Sequence, residues 1–121
     1  MKLLSNAHAK YSNYRVACVC MMNDGKEFCG VNVENASYGA CICAERVAIT
    51  QAISNGYKKG DFKEIHIMNS SYKIATPCFI CRQVITEFMN DDVKVYLYSQ
   101  NEFKIFTVKE LCPYPFNEDN L

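Results

Sequence analysis

The chain has 121 residues, half of them hydrophobic, and 13 basic against 13 acidic side chains leave no formal net charge. That length predicts one domain over residues 1–121 with a real core, and the neutral balance argues against nucleic acid, since phosphate binding needs a concentrated basic surface. No apolar run spans a bilayer, Met1-Lys2-Leu3-Leu4 runs into Ser5, Asn6 and His8 instead of reading as a signal peptide, and the eight cysteines are therefore expected as metal ligands or core residues in a reducing cytoplasm.

In chain order, residues 3–10 read as a short helix with Leu3, Leu4 and Ala7 on one side, and 11–14 as a loop. Residues 16–22 are apolar at alternate positions on both sides, the pattern of a central strand covered on both faces. Asn23-Asp24-Gly25 is a tight-turn signal, so 27–33 should return antiparallel. Asn32 and Glu34 then point the same way at its far end. A loop over 35–42 leads to a helix over 43–54, with Ala44, Val47, Ala48 and Ala52 as its buried stripe and Asn55-Gly56 as its stop. A strand is predicted over 64–69. Thr76 reads as an N-cap and Pro77 as the first helical position of a helix to about 89, burying Cys81, Val84, Ile85 and Phe88. Strands over 93–98 and 103–107 and a helical turn over 108–111 follow, with an irregular tail from 113. Hairpin, helix, strand, helix, strand, strand describes an α/β sandwich.

Two stretches carry the chemistry: Cys43-Ala44-Glu45-Arg46 and Thr76-Pro77-Cys78-Phe79-Ile80-Cys81-Arg82-Gln83. Three thiols from two stretches suffice to hold one zinc and leave its fourth position open, as catalytic sites do. Cys43 and Cys78 fall at predicted helix N-termini and Cys81 one turn further, where backbone N–H groups and the helix dipole favour a thiolate. Glu45 would sit beside the open position. Three thiolates outweigh the metal's charge, so a cation is needed nearby, and Arg46 is expected to donate to one or two ligand sulfurs. Arg82 follows Cys81 as Arg46 follows Glu45.

Blander readings exist for each. A structural zinc would need a fourth protein ligand, for which Cys41 is nearest and Cys112 and His66 more remote. Cys18, Cys20 and Cys29 lie in predicted strands and read as core. His8 and His66 read as ordinary helix and strand residues. Asn32 and Glu34 alone would pass for a polar strand end, and Tyr14 for a packed loop aromatic.

The two cysteine stretches resemble the zinc motifs of the cytidine deaminase family in its three-cysteine form. Tyr11-Ser12 with Tyr14, Asn32-Val33-Glu34-Asn35-Ala36, Tyr38 and Phe116 also fall where that family has matching residues, so the resemblance covers nearly the whole chain. It implies a three-layer α/β/α sandwich with a mixed five-stranded sheet, one zinc ion per subunit on Cys43, Cys78 and Cys81, and a cytoplasmic homotetramer of pyrimidine salvage. It implies that Glu45 moves protons between zinc-bound water, the cytosine N3 and the leaving ammonia. Asn32 and Glu34 would hold the sugar hydroxyls, Tyr14 would pack on the base, and the Ala44 backbone would meet the pyrimidine edge. Tyr38 and Phe116 would reach a neighbouring subunit's pocket, and Gln83 would stand with Arg46 behind the ligands. Phe79-Ile80 departs from the small residues common between the paired cysteines, and Arg15 from a common proline. The functional classes in play are a cytidine and deoxycytidine deaminase, a same-fold deaminase of another amino-pyrimidine such as a nucleoside antibiotic or a polynucleotide, and a non-enzymatic zinc module. Intact Glu45 argues against the last.

Overall fold

The computed structural model describes residues 2–121. Strands β1 (Val16–Met22) and β2 (Glu27–Val31) form an antiparallel hairpin, from Ala17 opposite Val31 to Met21 opposite Glu27. Its turn is where Asn23-Asp24-Gly25 placed it: Gly25 takes φ 91°, a left-handed conformation that glycine adopts freely, and its N–H donates to Met22 O. Strand β3 (Phe62–Asn69) pairs antiparallel with the other side of β1. Strand β4 (Lys94–Tyr98) runs parallel to β3, and β5 (Phe103–Thr107) runs antiparallel to β4. The sheet order is β2-β1-β3-β4-β5, and one parallel pair makes it mixed, as expected.

Helix α1 (Ala44–Ser54) connects β2 to β3, α2 (Phe79–Phe88) connects β3 to β4, and the short α3 (Val108–Leu111) follows β5. All three pack on one sheet face, so the α/β class and mixed five-stranded sheet are as expected, but these helices form one layer and not the two of a three-layer α/β/α sandwich. There Cys18, Cys20, Met22, Ile65, Ile67, Val95 and Leu97, drawn from alternate strand positions, meet Ala44, Ala48, Ile49, Ala52, Ile85 and Val108 in one buried cluster. Each large aliphatic chain sealed there contributes about 1.5–3 kcal/mol. Val19 and Met21 on the opposite face of β1 are half-buried. The doubly apolar pattern of β1 therefore marks one sealed face and one partly covered face.

Several local expectations need correction. The opening helix is a single 3-10 turn, Leu3–Asn6, because Ala7 turns extended and residues 8 and 32–34 pair: His8 N–H donates to Asn32 O and Glu34 N–H to His8 O. That non-local pairing also ends β2 at Val31, two residues early. In α1 the buried stripe includes Ile49, whereas Val47 is half-buried. The N-cap of α2 is Cys78 and not Thr76; Cys78 is extended at ψ 163°, so Pro77 lies outside the helix. Val84 and Phe88 are half-buried. Cys18 and Cys20 are core, but Cys29 is exposed on the edge strand β2. The tail contains one 3-10 turn, Glu118–Asn120. Among the described residues no helix is long and apolar enough to cross a membrane.

One close approach sets the depth of α1. A Cβ at Gly30 would lie 2.5 Å from Ala44 O and 2.6 Å from Ala48 N. Only a residue without a side chain lets the first turns of α1 sit this near β2.

Candidate active site

The first turns of α1 and α2 converge. Cys43 is the N-cap of α1 and Cys78 that of α2; both are extended, and neither spends its side chain on a capping bond. Their sulfurs are free to face each other at 3.8 Å. Cys81, one turn into α2, completes a cluster in which all three Sγ atoms lie within 4.8 Å of one another. Sulfurs about 2.3 Å from a tetrahedral zinc stand about 3.8 Å apart. Unpaired N–H groups at both helix starts favour the negative charge such a cluster carries.

The Cys43 thiol is brought down to about 5, first by a hydrogen bond from Cys81 and then by bonds from Arg46 and Cys78, with burial opposing. Cys81 is raised correspondingly, as the donor to Cys43 and by its burial. Arg46 Nη2 donates to Cys43 Sγ at 3.5 Å. Its Nε–H is buried without an acceptor among the described residues. A spare buried donor beside three thiols suits a cluster carrying full thiolate charge. The donor set therefore fits zinc, and Arg46 stands where the sequence predicted. Among the described residues no fourth cysteine, histidine or carboxylate joins the group. His66 is bonded instead to Tyr98 Oη and Glu64 Oε2, and Cys41 Sγ accepts from Asn35 N–H. A closed four-ligand structural site is not built here.

Glu45 follows at the second position of α1 and is 4% exposed. Burial raises its carboxyl above the ordinary range; the charge of Cys43 adds to this, while a backbone N–H bond opposes it. A carboxyl held in this way is suited to accept and return a proton. Tyr14 lies close by, its phenol raised by burial and then by the charge of Glu45.

These groups line a cavity of about 570 Å³. Tyr14, Asn32, Glu34, Tyr38, Ala44 and Glu45 all contribute, beside Cys43 and Cys78. Asn32 and Glu34 both line the cavity although β2 ends at Val31, before either of them, and both hold the loop that precedes β1. Asn32 Oδ1 accepts from Val16 N–H and its Nδ2 donates to Tyr14 O, each at 2.8 Å. Glu34 Oε1 accepts from the N–H groups of Tyr11 and Ser12 at 3.0 and 3.1 Å, and Oε2 accepts from Ser12 Oγ. These bonds, the Ser12 hydroxyl first, hold the Glu34 carboxyl below its ordinary value. Asn13 takes φ 58°, which asparagine tolerates, so the loop turns tightly here.

Other assignments fall elsewhere. The Gln83 amide donates to Phe116 O at 2.9 Å and to no ligand sulfur, so it does not support the cluster as Arg46 does. Phe116 is absent from the cavity wall. Phe79 and Ile80, 76% and 62% exposed, also lie outside that wall, so their bulk does not narrow the cavity. Arg15 donates to Ser5 O and Ala7 O and so ties down the N-terminal segment. The sequence reading missed Ser12 as the partner of Glu34, and Asn69, a buried cavity residue whose Oδ1 accepts from Ser71 N–H. An Asn closing a strand before Ser-Ser was the available signal for the latter.

Residues 1–97 match the family described as the cytidine and deoxycytidylate deaminase zinc-binding region. A probable cytidine deaminase of Dictyostelium discoideum is 42% identical over 116 residues, covering 95% of this chain and 77% of that protein. The cytidine deaminase of Halalkalibacterium halodurans is 38% identical over 116 residues, covering 95% and 86%. The crystal structure of a cytidine deaminase from Burkholderia pseudomallei superimposes with a TM-score of 0.90 at 39% identity, over 95% of this chain and 91% of that one. With the three-thiol cluster, the buried Glu45 and the mixed sheet all in place, this chain belongs to the cytidine and deoxycytidylate deaminase family.

Proposed function

We propose that this protein is a zinc-dependent hydrolase that converts cytidine and deoxycytidine to uridine and deoxyuridine with release of ammonia. The observation that carries the reading is the burial of Glu45 beside three thiols that no fourth protein ligand joins among the described residues, in a cavity that Asn32 and Glu34 also line. Cys43, Cys78 and Cys81 would hold the zinc, which would supply Lewis acidity to activate a water molecule. Glu45 would take one proton from that water and give it to N3 as the water oxygen bonds C4; it would then carry the proton of the new C4 hydroxyl to the amino group, which leaves as ammonia as the C4–N bond breaks and the C4 carbonyl forms. Tyr14 packs on the base and the Ala44 backbone meets its edge. Asn32 keeps one N–H, and Glu34 keeps unused lone pairs, for the sugar hydroxyls.

The same reading makes residues 1–121 one catalytic domain that works as a cytoplasmic homotetramer in pyrimidine salvage. Tyr38, which lines this chain's own cavity yet is 82% exposed, and Phe116, 57% exposed, are aromatic side chains at the surface and would complete a neighbour's pocket. The balanced charge supports a nucleoside over a polynucleotide. The test is an ultraviolet assay with cytidine on purified protein, with zinc measured on the same sample and mass by light scattering. Uridine formation, about one zinc per chain and a tetramer are expected. Zinc without turnover would overturn the substrate, and absence of both would overturn the site.

A further inference from the structure

Cys78 reaches the cluster from the end of a weakly held segment. Between β3 and α2 the chain runs through residues 70–78 without a helix or strand. The first part is tied down: Ser70 N–H donates to Arg15 O, Gln100 N–H donates to Ser71 O, and Ile74 N–H donates to Glu102 Oε2. Residues 75–77 have a single tether. Among the described residues, the only hydrogen bonds they make are to the Arg82 guanidinium, whose Nε donates to Pro77 O at 2.7 Å and Nη2 to Thr76 Oγ1 at 2.6 Å. Its third arm, Nη1, donates to Leu111 O at 2.8 Å, at the end of α3. That helix is anchored, since Val108 and Leu111 are buried in the core. Arg82 thus joins the approach to Cys78 to a fixed point across the fold. A planar guanidinium can span three acceptors in this way, whereas an ammonium cannot hold the same fork.

Phe79 explains itself in the same place. Its ring covers the Arg82 guanidinium, with Cζ 4.4 Å from the ring centroid. The side chain serves neither the core nor the cavity. Stacked on the cation, it adds a cation–π contact that favours this orientation of the guanidinium, from which it reaches Thr76 and Pro77.

We infer that Arg82 is a positioning residue for Cys78 and that Phe79 is the cover that keeps its guanidinium in place. The inference rests on Cys78 being a zinc ligand. Cys78 is the most exposed of the three thiols and sits directly after the tethered residues. Losing the tether frees that thiol first, together with the cavity wall at Thr76 and Pro77.

The test uses zinc-loaded protein and follows zinc release to a chromophoric chelator, below the unfolding temperature of every variant. Arg82→Lys is expected to release zinc about 10-fold faster, the lower end for residues that orient metal ligands. The cobalt-substituted variant should show an altered thiolate-to-metal absorption band, and kcat should fall more than KM changes. Phe79→Gly should also release faster, and Phe79→Tyr should restore the parent rate. A merely structural role would lower the unfolding temperature and leave release from the folded protein alone. If Arg82→Lys does not fold, Phe79→Gly with its rescue decides the matter. Cys78→Ser separates the two levels. Should it lose zinc while the Arg82 and Phe79 variants release at the parent rate, the zinc reading stands and the positioning role is overturned. Should it hold zinc as the parent does, Cys78 is no ligand and the inference falls with that reading.

Discussion

Arg46 donates through Nη2 to the sulfur of Cys43, 3.5 Å away and one turn back along the same helix. The bond places a permanent cation against a thiol held well below its ordinary value. Arg46→Ala is expected to weaken zinc binding by about 10- to 100-fold, the usual range for groups that support ligands from behind. Chelator competition measures it. Unchanged affinity and turnover would show that the cluster does not need this charge.

Glu45→Gln keeps the volume and hydrogen-bonding reach of the side chain but cannot carry the proton. The variant should retain zinc and lose about 10²- to 10⁴-fold in kcat. Metal analysis and steady-state kinetics on one preparation check both halves. Full activity would remove Glu45 from the proton path.

Glu34 has a sign that can be worked out. Hydrogen bonds from Ser12 and Tyr11 favour its ionised form, so its folded pKa lies below the ordinary 4.5. The contribution of these bonds to loop stability is fully present above 4.5 and is lost as pH falls through the lower folded value. Ser12→Ala removes the largest cause, so the Glu34 titration should move back up toward the ordinary value. Carbon-detected NMR of the Glu34 carboxyl reads this directly. An unmoved titration would mean that the backbone donors alone hold the carboxylate.

Gly30→Ala should destabilise the fold by about 1–3 kcal/mol, the range for forcing a methyl group into a filled space. The neighbours in the way are backbone atoms of Ala44 and Ala48, which cannot rotate aside. Urea unfolding measures the loss. A variant of parent stability would show that α1 can shift outward freely.

What the sequence disclosed, and what it concealed, follows the range of the interactions involved. The hairpin was readable because Asn23-Asp24-Gly25 specifies a turn from within three residues. The thiol cluster was readable because its spacing places Cys43 and Cys78 at helix starts and Cys81 one turn further, and Arg46 because it shares the helix of Cys43. The opening 3-10 turn was misread because residues 7–9 answer to pairing with 32–34, which no local periodicity reports. The cap of α2 was misplaced because Thr76 and Pro77 make a good local start, yet the Thr76 hydroxyl is bonded to Arg82. Ser12, Gly30 and the reach of Gln83 to Phe116 depend on contacts between distant segments. They became visible only in three dimensions.

The two amide hydrogen bonds of Asn32 have an evolutionary consequence. One side chain holds both Val16 N–H and Tyr14 O, and it also faces the cavity where a sugar would lie. A substitution at this position would reshape that wall of the cavity and simultaneously slacken the loop that carries Tyr14. The shape of the cavity wall and the rigidity of the loop are thereby inherited together, and drift at Asn32 alone has few neutral directions.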